Sequence, residues 1–138
     1  MLWRRAGHSD DHRPRGRVKT FEAFRNLRPI LLAEGLTARA VNGERITMAL
    51  VDLEPHSKSP DHHHENEQLG FVVNGSIEFR VGTDTRVLHA GDSYVIPSHV
   101  PHQATAGAEG ATVVDIFAPV RADWEKLERS DPAPGRWP

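Results

Sequence analysis

Pro60-Asp-His-His-His-Glu-Asn-Glu-Gln-Leu-Gly-Phe-Val-Val-Asn-Gly75 decides the reading of this chain. Imidazoles stand at His62 and His64, and a side-chain amide follows at Gln68. Side chains alternate faces along an extended strand, so His62 and His64 point one way and His63 the other. Two imidazoles on one face hold a metal ion once further donors arrive from elsewhere in the chain. A second histidine segment, Gly91-Asp-Ser-Tyr-Val-Ile-Pro-Ser-His-Val-Pro-His102, follows about thirty residues later. The two segments are expected to close around one ion.

Outward from this stretch the chain reads as short strands separated by turn residues. Leu36–Val41 runs into Asn42-Gly43, a strong two-residue hairpin signal, and returns over Arg45–Leu53. Glu54–Asp61 is a loop. Gln68–Val73 ends at a second Asn-Gly, Asn74-Gly75, which predicts another turn into Ser76–Val81. There Ile77, Phe79 and Val81 alternate with Ser76, Glu78 and Arg80. Thr85–Leu88, Ser93–Ile96, His102–Ala106 and Ala111–Ala118 follow, the last two joined by a loop over Gly107–Gly110. Arg28–Ala33 reads as an edge strand. This spacing predicts an all-β sandwich or barrel.

The ends read differently. Residues 1–19 hold six of the 17 basic residues and two of the 19 acids, and are expected to be a flexible basic leader. Thr20–Asn26 is expected to make one or two helical turns with Thr20 as N-cap. Residues 20–120 form the predicted barrel domain. Residues 121–138 are expected to hold a short helix over Arg121–Arg129 and a Pro-rich tail. In that helix Trp124 and Leu127 cover the barrel and Glu125 pairs with Arg129.

At 138 residues the chain is long enough for one domain with a core. With no cysteine it has no disulfide, thiolate ligand or cysteine nucleophile. No apolar run reaches the roughly 18 residues of a membrane span, and nothing apolar follows Arg4-Arg5 as a secretion signal requires. A cytoplasmic location is therefore expected, with no membrane partner. Past residue 19 the chain carries 11 basic and 17 acidic residues, an acidic body that argues against nucleic-acid binding.

The two histidine segments resemble the paired motifs of the cupin superfamily, in particular its small single-domain members. The first motif, His-x-His, then Glu or Gln, then Gly, falls on His62, His64, Gln68 and Gly75. The second falls on Gly91, Pro97 and His102. His99 stands where the family usually has Gly, and Ala106 where it often has Asn. The resemblance implies a double-stranded β-helix, or jelly-roll barrel, with a divalent transition metal (zinc, nickel, iron or manganese) in its mouth. The implied ligands are His62, His64, Gln68 and His102, whereas His63, His89 and His99 read as structural or exposed. Gln68 is neutral where Glu is commoner, so the ion keeps its full charge toward an anionic ligand. Histidines bind as neutral imidazoles, so metal affinity is expected to fall below about pH 6.

In Val113-Val114-Asp115-Ile116-Phe117-Ala118-Pro119-Val120-Arg121, Asp115 shares a face with Val113 and Phe117. Such a carboxylate either lines the barrel mouth, where burial shifts its pKa toward general acid–base work, or faces solvent on the outer surface. Asp-x-Phe-x-Pro-x-Arg resembles the ending of pectin-degradation cupins, which ketonise unsaturated uronates. The resemblance implies Asp115 and Arg121 as catalytic residues, with Phe117 and Arg121 binding substrate. Tyr94 reads as core or as a further proton donor. Three functions stay open: a metal-dependent lyase or isomerase of a small oxygenated acid, an Fe(II) dioxygenase, and a binding module without turnover. The expected partners are a small anionic molecule and a second copy of the chain, paired through Leu31, Leu32 and an exposed sheet face.

Overall fold

The computed structural model describes residues 19–137, so the expected leader lies, but for Lys19, outside the described residues. The alternating stretches form β1 (Ile30–Ala33), β2 (Leu36–Asn42), β3 (Thr47–Leu53), β4 (Glu67–Val81), β5 (Asp84–His89), β6 (Ser93–Ile96) and β7 (His102–Ala118). All pairings are antiparallel, in the order β1-β2-β3-β7-β4-β5, with β6 on β4. Leu36, Ala38, Val51, Leu53, Ile77, Phe79, Ile96, Val113 and Phe117 face inward and form the core.

Two strands are longer than the sequence predicts. Asn74-Gly75, expected as a turn, lies inside the 15-residue β4, and Gly107–Gly110, expected as a loop, lies inside the 17-residue β7. Val72 pairs with Val113 before the corner and Ile77 with Ala106 after it, with register shifts between. The chain therefore stays on the same partner and bends instead of reversing, as a bulge does. Gly75 sits at φ 75° and Gly110 opposite at φ 73°. A Cβ on Gly75 would run into the Gly110 carbonyl, so this corner needs glycine. The first half of β4 pairs with β6 and the end of β7, and its second half with β5 and the start of β7. Both strands thus pair on either side of the corner and close the jelly roll.

The Asn42-Gly43 hairpin does form, through a longer loop. Asn42 stays in β2 opposite Thr47, whose hydroxyl donates to its side-chain oxygen at 2.5 Å, and Gly43 N–H bonds to Ile46 O. Both predicted helices form only as short 3-10 turns. Of the first, only Phe24–Asn26 makes a turn, without a side-chain cap, because so short a segment does not offset helix nucleation. At the other end Ala122–Lys126 is a 3-10 turn that buries Trp124, while Leu127 is already extended. The i,i+4 approach of Glu125 and Arg129 therefore does not arise. The chain there is drawn onto the β1 edge, where Leu31 N–H bonds to Glu128 O and Ser130 N–H to Pro29 O. The Leu31 side chain, expected to serve pairing with a second copy, stays exposed. Among the described residues no helix is long and apolar enough to cross a membrane.

Candidate metal centre

His62 and His102 meet because the loop before β4 pairs with the start of β7. His62 N–H bonds to His102 O at 3.1 Å and His102 N–H to His62 O at 2.9 Å. A mutually bonded antiparallel pair puts both side chains on one face. His64, two residues on, joins them, and one nitrogen from each of the three rings lies within 4.8 Å of the others. The second histidine segment is tied to the first by His99 N–H bonding to His64 O at 2.7 Å. His99 holds a left-handed φ of 66° where the family motif has Gly, a conformation histidine tolerates better than most residues.

Each ring is oriented by its other nitrogen. Nδ1 of His62, His64 and His102 lies 2.7, 2.9 and 2.9 Å from the carbonyls of Pro60, Asn66 and Val100. A carbonyl only accepts, so each Nδ1 carries the proton and each Nε2 presents a lone pair. His102 Nε2 is buried and, among the described residues, has no partner. His64 Nε2 faces Gln68 Oε1 at 3.1 Å, two acceptors with no proton between them. An ion bonded to both resolves that contact, since donors with bonds of about 2.1 Å stand roughly this far apart around one ion. The donor set therefore fits a metal. Burial holds His64 below its ordinary value and pushes His102 down to about 4. Proton competition at these two rings thus begins at lower pH than the sequence-based expectation of about pH 6.

Asp115 lines the same cavity of about 270 Å³, as do Gln68, Phe117 and Arg121. It is 6% exposed and accepts a hydrogen bond from Tyr94 Oη at 2.5 Å. Burial raises it to about 6, against the lowering effects of Tyr94, Gln68 and Arg121. Burial and the adjoining carboxylate push the Tyr94 hydroxyl well above its ordinary value, so it stays a donor. Ala49, Asp115, Gly70 and Tyr94 stand in one row across β3, β7, β4 and β6. A Cβ on Gly70 would clash with both Asp115 and Tyr94, so the missing side chain makes the space in which they meet.

Arg121 is placed by its own N–H, which bonds to Thr47 Oγ1 at 2.9 Å. Its guanidinium stacks on Phe117 and Trp124, 4.7 and 4.6 Å from the ring centres. Nε and Nη2 bond to the two oxygens of Asp123 at 3.0 and 2.9 Å, so the fork expected to clamp a substrate carboxylate already holds a carboxylate. His63, His89 and His99 are exposed. Leu32 is half-buried and lines the cavity.

Three contributors escape the sequence reading. Gly70 shows its role only through its cross-strand neighbours. Asn66 Nδ2 donates to Pro119 O at 2.5 Å and holds the histidine loop against the end of β7. Asp123 is two residues from Arg121, and that spacing was the available signal.

The cupin-domain family Cupin_2 matches residues 49–117, half of the chain. The pectin degradation protein KdgF of Dickeya dadantii is 32% identical over 66 residues, which span 48% of this chain and 60% of KdgF. The H2HPP isomerase of Bacillus subtilis is 37% identical over 65 residues, 46% of this chain but only 26% of that protein. The chain thus matches less than two thirds of either relative. Among solved structures, KdgF from a Halomonas species superposes with a TM-score of 0.65 at 29% identity, covering 69% of this chain and 88% of that one. An RmlC-like cupin from Shewanella frigidimarina gives 0.72 at 25% identity, covering 77% and 96%. The three-histidine group, with these relatives, marks a divalent metal site. With the histidine motifs, the jelly-roll corner and the family match in agreement, the chain belongs to the cupins.

Proposed function

We propose that the protein is a metal-dependent isomerase or lyase that moves a proton on a small oxygenated acid, with an unsaturated uronate as the first substrate to test. His62, His64 and His102 through Nε2, with Gln68 through Oε1, would hold zinc, nickel, iron or manganese. The bound ion would supply Lewis acidity toward a substrate oxygen, undiminished by any anionic ligand. Asp115 carries the reading: it is a buried carboxylate on the cavity wall, raised to about 6. Near neutral pH such a group both accepts and returns a proton, which is all that ketonisation or tautomerisation requires. Tyr94 fixes its orientation by donating to one oxygen. Arg121 faces the same cavity with a positive charge suited to an acid. The names of the two curated relatives, a pectin degradation protein and an isomerase, support this class.

The test is loss of enol absorbance from a 4,5-unsaturated uronate under argon with metal-loaded protein. Turnover without oxygen that falls at least about 100-fold in Asp115→Asn, at unchanged metal content, is the expected result. Oxygen uptake coupled to turnover would favour the dioxygenase instead. Binding of acids without turnover would leave the non-catalytic module.

The homodimer is proposed on the outer sheet face. Met48, Ile116, Leu69 and Val95 are exposed and stand in one cross-strand row over β3, β7, β4 and β6. Light scattering should give twice the chain mass, reduced to one in Leu69→Glu.

A further inference from the structure

We propose that Asp123 is a resident competitor for the substrate carboxylate, holding the Arg121 fork until an acid displaces it. This rests on the reading of Arg121 as the anion clamp and adds the residue that sets its selectivity. The two partners are unequally held. The Arg121 side chain is 9% exposed, fixed by the Phe117 and Trp124 rings and by its backbone bond to Thr47. The Asp123 side chain is 64% exposed, on the short turn Ala122–Lys126. Rotating Asp123 into water therefore frees the fork without moving the guanidinium, whereas moving Arg121 would break two aromatic stacks.

The geometry of the pair is the geometry of carboxylate recognition. Nε and Nη2 bond to the two oxygens of Asp123 as they would to an incoming acid. Both residues line the cavity of about 270 Å³ beneath the histidines, so a displacing carboxylate arrives from the metal side. An apolar cavity of about 150 Å³ already holds benzene, so a ring bearing a carboxylate fits here. The rest of the wall includes Leu36, Val51, Ile77, Phe79 and Val113 and offers such a ring apolar contact. A neutral ligand gains nothing by displacing Asp123 and leaves the latch closed. An acid must displace it, and its apparent affinity is reduced by the fraction of molecules whose fork is free. A partly exposed pair keeps the fork closed by a factor of about three to five.

Benzoate and its neutral analogue benzamide, titrated calorimetrically into zinc-loaded full-length protein, test this. Asp123→Asn should tighten benzoate about three- to fivefold and leave benzamide unchanged. The gain should vanish when Asp123→Asn is combined with Arg121→Met, or with Arg121→Lys, which keeps the charge without the fork. A gain that persists in both combinations would mean that only the lost negative charge matters, and would overturn the latch. Unchanged or weaker benzoate binding in Asp123→Asn, with binding still lost in Arg121→Met, would overturn it while sparing the anion clamp. Absence of benzoate binding in both wild type and Asp123→Asn would overturn the clamp and the latch together. Failure of uronate turnover leaves the binding result untouched, so the two readings fail separately.

Discussion

Asp52 and Asp115 are buried on opposite faces of one sheet, and their surroundings differ in kind. Asp52, on the outer face of β3, accepts from Thr112 Oγ1 at 2.8 Å and from Arg136 N–H at 3.3 Å, with the buried Arg39 guanidinium 3.6 Å away. Arg39 in turn donates to Trp137 O at 2.7 Å, so the C-terminal segment lies over the pair. Charge there is closed by charge. Asp115, on the inner face of β7, is held by the neutral donors Tyr94 and Gln68 and borders open space. A buried carboxylate with a cation beside it is matched in charge. One held by neutral groups can change protonation state, and the neighbouring histidines likewise keep lone pairs in reserve. The outer cluster is built to hold the fold, the inner one to react.

Removing one partner from each cluster should separate these roles most sharply. Arg39→Ala leaves Asp52 buried without its cation and should cost about 3–5 kcal/mol in denaturant unfolding, with or without metal. A loss under about 1 kcal/mol would mean that the outer pair is solvated and that the contrast between the faces is wrong.

The next effect reverses the pattern. His102→Ala removes a ring whose Nε2 has no partner among the described residues. Metal-free protein should therefore lose less than Arg39→Ala does, about 1–3 kcal/mol, because the cavity left by a buried ring is partly offset by removal of an unpaired polar atom. Metal affinity should fall at least about 100-fold, since one of the few donors is gone. Elemental mass spectrometry and melts with and without chelator read both quantities. Undiminished metal content in the variant would move the site away from these histidines.

Legibility followed the same division. His62, His64 and His102 could be read because a strand's two-residue period and a fixed motif spacing are local properties. Asp115 was only half legible: its alternation with Val113 and Phe117 put the three on one face, but which face turned inward was left open until the sheet closed. The corners could not. Asn74-Gly75 has the composition of a hairpin turn, and only the continuity of β7 on both sides makes it a bulge. The helix expected over Arg121–Arg129 is cut to the 3-10 turn Ala122–Lys126 because the β1 edge, about a hundred residues earlier, recruits Glu128 and Ser130. Gly70 and Asp123 matter through partners that pairing or a turn brings to them. The Arg39–Asp52 cluster depends on a tail whose path over the sheet no local pattern encodes.

The smallest expected effect tests the inner face by pH. In metal-free protein His102 has its folded value lowered to about 4 from 6.5 by burial. Its stabilising contribution is complete above 6.5 and is lost as pH falls toward 4, because the unfolded chain binds the proton first. Asp115 runs the other way: burial raises it from 3.8 to about 6, so the folded state binds the proton first and gains stability as pH falls through that window. Between pH 6 and 4 the two contributions oppose each other. Asp115→Asn removes one of them. From pH 7 to 4 the variant should therefore lose about 2 kcal/mol more than wild type in urea unfolding, once their difference at pH 7 is subtracted. Parallel curves would mean that Asp115 keeps one protonation state throughout this range, and the proton-transfer role would lose its basis.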